Sequence, residues 1–150
     1  MATKTIETLI KVSQYALDDK RKVLAAHFEE LALLERKRQA IDEELAAEQA
    51  AARDDPSIGI TYGLYANAII ARRDKLDGDI LVKNREVELA RDDVQEAFEE
   101  VKKYELALDR LREAQAKEQA RIEEEELNEM GLNGFRRKKA SGPTPGEGRS

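Results

Sequence analysis

The chain has 150 residues, of which 39% are charged and 5% aromatic, and it contains no cysteine and no tryptophan. Because large side chains supply most of the free energy of burial, this composition disfavours a broad core and favours long helices sharing a narrow apolar seam. The lack of cysteine excludes disulfides and thiol chemistry, and the net charge of −6 argues against general nucleic-acid binding, which needs a basic surface.

The first predicted element is a helix over about residues 3–53, because no glycine or proline occurs before Pro56. Apolar residues recur every seven positions from Ile10 to Leu31, which indicates one stripe of a coiled coil. The companion positions of the heptad are less apolar and include His27, the only histidine. We interpret His27 as a packing residue in the seam, with a pH-sensing or ligand-binding role as the alternative.

A turn is predicted over about residues 54–61, where the only internal cluster of glycine and proline lies. So short a connection makes the flanking helices antiparallel. Large apolar and aromatic side chains are concentrated at this tip: Ile58, Ile60, Tyr62, Leu64, Tyr65, Ile69 and Ile70. Two interpretations are equally supported, namely an exposed partner-binding patch and a cluster that closes the loop over the end of the seam.

The second predicted helix covers about residues 62–130. Valine, isoleucine or leucine recurs every seven residues from Ile80 to Leu108, and a sustained seven-residue period imposes a left-handed supercoil. This helix is longer than the first, so we expect residues 115–130 to overhang, either as a helix that has lost its partner or as a surface for another protein. The acidic run Glu123–Glu126 in this stretch is interpreted as solvated surface rather than an acid–base or metal site.

Residues 131–150 are rich in glycine, proline and basic residues and are predicted to form a disordered tail. Its run Arg136–Lys139 is interpreted as solubilising, with binding to nucleic acid, an anionic membrane or an acidic protein as the alternative. The predicted fold class is therefore all-α: an antiparallel two-helix coiled-coil hairpin over residues 1–130, followed by this tail.

No motif for catalysis, a metal or a cofactor is present, and two helices enclose no dry pocket in which chemistry could occur. We expect no membrane span and no secretory signal, because the apolar runs are short and the N-terminal segment is interrupted by charge. The protein is therefore predicted to be a non-enzyme that acts by binding other proteins.

Three segments in order resemble the FliJ family of flagellar type III export proteins. They are ETLIKVSQYALDDKRKVL from Glu7, the ITYGLY entry to the second helix from Ile60, and the glutamate-rich KEQARIEEEELNEMG from Lys117. The resemblance covers residues 4–130 and depends on order, spacing and chain length rather than on one specific motif. Stalk proteins of virulence type III secretion systems are similar.

The resemblance implies a cytoplasmic stalk beside the inner-membrane export apparatus, without a cofactor. The end built from residues 4–24 and 108–130 would insert into the hexameric export ATPase and promote ring assembly. The implied ATPase-binding residues are Lys4, Lys11, Lys20, Arg21, Lys117 and Arg121. The cytoplasmic domain of the membrane export gate would contact Ile41, Leu45, Tyr62, Tyr65, Ile69 and Leu76. Export chaperones are further candidate partners.

Two alternatives stay open at this point. One is a generic structural or adaptor coiled coil, including a homodimer whose seam forms between chains. The other is a nucleoid- or membrane-associated protein that acts through Arg136–Lys139.

Overall fold

The structure, a computed structural model, describes residues 2–55, 57 and 59–140, apart from the side chain of Ile60. It consists of helix α1, Ala2–Asp54, of 53 residues, and helix α2, Gly59–Ala140, of 82 residues. The two helices pack against each other along α1 as an antiparallel hairpin. The predicted all-α hairpin is therefore confirmed.

The seam between the helices follows the predicted heptads. In α1 the residues at every seventh position from Ile10 to Leu45 are buried or half-buried, and Leu17 is 6% exposed. In α2 the stripe includes Val87, 5% exposed, and Val101, 4% exposed. Each helix therefore has a single protected face, as the seven-residue period requires.

An aspartate stabilises the short turn between the helices through two hydrogen bonds. Asp55 Oδ1 accepts hydrogen bonds from the Ser57 backbone N–H, at 3.0 Å, and from Ser57 Oγ, at 2.7 Å. Aspartate favours such turns because its carboxylate bonds to the backbone two residues on. Of the apolar residues predicted at the tip, Ile58 and the side chain of Ile60 lie outside the described residues.

Among the described residues, lysine or arginine pairs with a carboxylate across the seam at four places, and these pairs favour one register. Their partners are Glu7–Arg112, Glu30–Lys83, Arg38–Asp77 and Glu44–Arg72. Arg38 Nε lies 2.6 Å from Asp77 Oδ1, and Arg38 Nη1 lies 2.5 Å from Asp42 Oδ1. These two carboxylates raise the pKa of Arg38, which donates hydrogen bonds to Asp42, the larger cause, and to Asp77. A charged seam residue with a partner across the interface favours one register over its neighbours.

The predicted boundaries of the second helix and of the tail are wrong. The helix begins at Gly59 and continues to Ala140, so residues 131–140 are helical and only residues 141–150 of the predicted tail lie outside the described residues. Glycine weakens a helix by about 1 kcal/mol relative to alanine. Gly131 and Gly134 together do not break α2, which continues through both. The basic residues of the last turn also interact favourably with the negative end of the helix dipole.

Helix α2 extends far beyond the start of α1. The last cross-helix hydrogen bond at this end runs from Gln115 Nε2 to Thr3 Oγ1, at 3.3 Å. Residues 116–140, here called the overhang, are exposed except for half-buried Ile122. At about 1.5 Å per residue the overhang reaches roughly 35 Å past the hairpin. None of the described helices has an apolar stretch long enough to cross a membrane.

Candidate partner-binding surfaces

The tip of the hairpin presents one anchored tyrosine. The Tyr65 hydroxyl donates a hydrogen bond to the carboxylate of Glu44, and Arg72 Nη2 lies 2.8 Å from Glu44 Oε2. These contacts lower the pKa of Glu44, chiefly through the tyrosine hydroxyl, and raise the pKa of Tyr65. Tyr65 is 36% exposed and Tyr62 is half-buried. The ring of Tyr65 is therefore held in place while part of it stays open to a partner.

The other residues predicted to face the export gate lie deeper. Ile69 is 1% exposed and Ile41 is 8% exposed, so both pack inside the seam. Leu45 and Leu76 are half-buried. Ile69 is closed to a partner while the hairpin stays packed, and Ile41 offers a partner only its small exposed fraction, so neither supplies the open contact surface that was expected. The heptad places them on the protected face, whereas the resemblance did not separate protected from exposed positions.

An apolar groove beside this region was not predicted. Its side walls include Leu33, 46% exposed, and Val82, 60% exposed. It continues past Asp79 to Ile41 and Leu76. Basic and acidic side chains also line the two parts of the groove: Glu30, Lys37, Arg72, Lys75 and Lys83. The sequence signal was an extra apolar residue next to a seam position, as with Leu33 beside Leu34 and Val82 beside Lys83.

The six cations predicted to face the ATPase are all exposed: Lys4, Lys11, Lys20, Arg21, Lys117 and Arg121. The Thr3–Gln115 hydrogen bond brings Lys4 and Lys117 to the same end of the hairpin. Lys20 and Arg21 lie about 24 Å further along α1, given the rise per residue of a helix. The structure therefore spreads the set along one end and does not gather it into a single cluster.

Several of these cations have partners on their own helix. Arg121 bonds to Glu118 and Glu125, each at 2.7 Å, and this raises the pKa of Arg121, chiefly through Glu118. Lys117 lies 3.6 Å from Glu113. Such exposed ion pairs are weak, at about 0.2–1 kcal/mol each, and a docking carboxylate can replace them.

His27 belongs to a polar cluster in the middle of the seam. Its Nδ1 lies 3.5 Å from Glu86 Oε2, 4.0 Å from Glu30 Oε2 and 3.4 Å from Lys83 Nζ. Lys83 also donates to both carboxylates, with 2.6 Å to Glu86. These contacts lower the pKa of Glu30 and raise that of Lys83, in each case chiefly through the Lys83–Glu30 hydrogen bond.

This cluster also has the composition of a metal site, because His27, Glu30 and Glu86 converge. The side chain of Lys83, only 15% exposed, places its ammonium among them. A bound cation would have to displace that ammonium, whose charge already compensates the carboxylates. The arrangement therefore fits a structural role for His27, as a member of a charged layer that joins the two helices.

The basic run Arg136–Lys139 lies on the last turns of α2 and is exposed. It is separated from the acidic run Glu123–Glu126 by Gly131 and Gly134. The overhang thus carries two blocks of opposite charge on a single rigid rod rather than on a flexible tail.

Comparison with known proteins gives a consistent result. The family model described as "Flagellar FliJ protein" matches residues 3–140. Two curated relatives, each named "Flagellar FliJ protein", come from Caulobacter vibrioides strains NA1000 / CB15N and ATCC 19089 / CIP 103742 / CB 15. Each is 30% identical over 130 residues, which cover 87% of this chain and 94% of the relative. No solved structure matches.

The family match reaches from the start of α1 through the end of α2, so it includes both helices, the turn and the overhang. The chain belongs to the FliJ family, and this membership supports an export-related role in the bacterial flagellum.

Proposed function

We propose that this protein is a non-catalytic stalk of the flagellar type III export apparatus. In this proposal it works in the cytoplasm beside the inner-membrane export machinery. One end inserts into the hexameric export ATPase and promotes ring assembly, while the other part of the hairpin contacts the cytoplasmic domain of the export gate.

The observation that carries the proposal is the overhang. A helix that continues about 35 Å beyond its partner, exposed over nearly its whole surface, contributes little to folding the hairpin. A rod of single-helix width fits a narrow opening, such as the centre of a protein ring. Its charged surface also suits a part that must fit inside a ring without sticking to it.

The hairpin supports the second contact through a different kind of surface. Tyr65 is held by Glu44 at the tip, and the apolar groove with Leu33 and Val82 runs along the adjacent part of the hairpin. Exposed aromatic and apolar groups of this kind are typical of protein-binding surfaces. We assign this region to the gate, with Ile41 and Ile69 acting from inside the seam to hold its shape.

The ATPase contact can be tested with purified components. The rate of ATP hydrolysis by the export ATPase, and its assembly into rings, would be measured with and without this protein. We expect both to rise. Arg121→Glu should reduce the stimulation, because it reverses a charge on the overhang where we place the ring contact.

Arg85→Glu is the matched control. Arg85 is also exposed and has an ion pair on its own helix, 3.3 Å from Glu88, but it lies in the middle of the hairpin. We expect it to stimulate as the wild type does, with unchanged helix content. If the wild-type protein alters neither hydrolysis nor ring assembly, the ATPase part of the proposal is wrong.

A further inference from the structure

The overhang carries an apolar stripe that the hairpin does not use. Its positions follow the spacing i, i+3, i+4, i+7 and i+8, which places them on one side of a helix. They are Leu127, Met130, Gly131, Gly134 and Phe135. The three large side chains are 64–69% exposed. Helix α1 does not reach this stripe, because α1 begins at Ala2 and Thr3 already lies beside Gln115.

The two glycines make the centre of the stripe flat. A Cβ atom added at Gly131 or at Gly134 would meet nothing within 4 Å, so the single chain has no steric need for glycine at either position. Glycine weakens a helix relative to alanine. A glycine on the surface of a helix does, however, let the backbone of another helix approach closely.

The charges around the stripe are arranged symmetrically. The acidic run Glu123–Glu126 and the basic run Arg136–Lys139 lie at equal distances in sequence on either side of Gly131. Glu124 and Lys138 extend the stripe itself, because both continue its alternating three- and four-residue spacing. A partner helix that carried the same sequence in the opposite direction would therefore meet each charged run with its opposite.

We propose that this face of the overhang binds the same face of a second copy of the chain, antiparallel and centred on Gly131. In this arrangement Glu124 meets Lys138 of the second copy, Leu127 packs against its Phe135, and the two Gly131 positions face each other at the centre. The interface is isologous, as in most homodimers. A seam with a charged pair at each end, an apolar pair inside each and glycine at the centre has one favoured register.

Charge favours a second copy over the other occupants of such a face. An anionic membrane or an acidic protein would be attracted by Arg136–Lys139 but repelled by Glu123–Glu126. A second copy satisfies both runs at once. The pairing does not depend on any of these groups lacking a partner within its own chain, because exposed ion pairs exchange readily.

The contact is short and its charges are exposed, so it should be weak and sensitive to salt. From Glu124 to Lys138 the helix is only about 21 Å long. We therefore expect a dimer that forms with rising protein concentration and dissociates as salt screens the charges. It would cover the end of the hairpin that the proposed function assigns to the ATPase, so dimer and ring-bound forms would exclude each other.

Analytical ultracentrifugation of the full chain, over a range of concentrations, tests the pairing. The wild type should approach a dimer, while Glu123→Lys with Glu124→Lys should weaken association by at least about tenfold, the effect of 1.4 kcal/mol. Lys138→Glu with Lys139→Glu should do the same. An equimolar mixture of the two double variants should associate again, because each then presents the charge the other needs.

The matched control is Glu125→Lys with Glu129→Lys. It makes the same change of charge in the same segment, but at about 100° per residue these positions lie on the other side of the helix. We expect it to associate nearly as the wild type does. Far-UV circular dichroism should show the same helix content in all variants.

Three results would overturn the proposal. The first is a wild-type protein that stays monomeric up to about 1 mM, where even a weak specific contact would register. The second is a mixture of the two double variants that fails to associate. The third is a control variant that dissociates as completely as the stripe variants. None of these measurements involves the ATPase, so they leave the stalk function separately testable.

Discussion

Val101→Asp should destabilise the hairpin strongly, because Val101 is 4% exposed in the middle of the seam. The substitution removes an apolar side chain whose burial is worth about 1.5–3 kcal/mol, and it adds a carboxyl group without a designed partner. In addition, burying a polar group without a hydrogen bond costs about 1–3 kcal/mol, as measured in protein variants. We therefore expect a loss of about 3–5 kcal/mol, large against the 5–15 kcal/mol that stabilises a typical domain.

Urea unfolding followed by far-UV circular dichroism measures this loss. With a slope of about 2 kcal/mol per molar urea, a loss of 3 kcal/mol lowers the midpoint by about 1.5 M. The protein should regain part of its stability in acid. Burial raises the pKa of the introduced carboxyl group in the folded state, so the penalty shrinks as pH falls through that raised pKa and the group becomes neutral.

Val82→Asp is the control for this experiment. Val82 lies on the same helix but is 60% exposed, so the change of helix propensity is the same while the change of burial is small. Exposed substitutions of this kind usually stay within about 0.5 kcal/mol. If both variants lower the urea midpoint equally, the seam does not hold the hairpin together and the packing argument fails.

Three further predictions concern the seam and the tip. The pKa of Glu30 is lowered from 4.5, chiefly by its hydrogen bond from Lys83, so its contribution to stability is complete above that value and is lost as pH falls through the lowered pKa. Lys83→Met should flatten this dependence in melting temperature measured against pH, and parallel curves for variant and wild type would contradict the assignment. Ile69→Ala should lower stability by about 2–5 kcal/mol, because Ile69 is almost fully buried. Tyr65→Ala should keep the helix content and weaken binding to the export gate in a pull-down; loss of helix content would instead make Tyr65 a structural residue.

Much of the fold followed from the spacing of residues along the chain. The seven-residue repeat predicted which faces of the helices pack together, and Val101 and Leu17 lie in the seam as expected. The cluster of glycine and proline predicted the turn. Local spacing was sufficient here because a two-helix coiled coil is built from one repeated contact.

The end of the second helix was predicted incorrectly, because composition was given more weight than continuity. Gly131 and Gly134 suggested a flexible tail, but α2 continues through both to Ala140. Each glycine weakens a helix only slightly, whereas helix formation is cooperative once the preceding turns exist. The overhang is therefore longer than expected and includes the basic run.

The candidate surfaces could be predicted less well than the fold, because they depend on contacts between the two helices. The sequence placed His27 at a seam position, but only the packed hairpin shows that Lys83 joins Glu30 to Glu86 beside the histidine. The family resemblance placed Ile69 on a binding surface, and its burial reassigns it to the seam.

The sequence by itself determined that the chain forms two long helices and which side of each is protected, because both properties depend on residues close together along the chain. Only the tertiary structure decided the register, the partners of the seam charges and the length of helix left uncovered. These depend on how residues from opposite ends of the chain align, as Glu7 does with Arg112, and a repeating pattern allows several alignments until specific side chains select one.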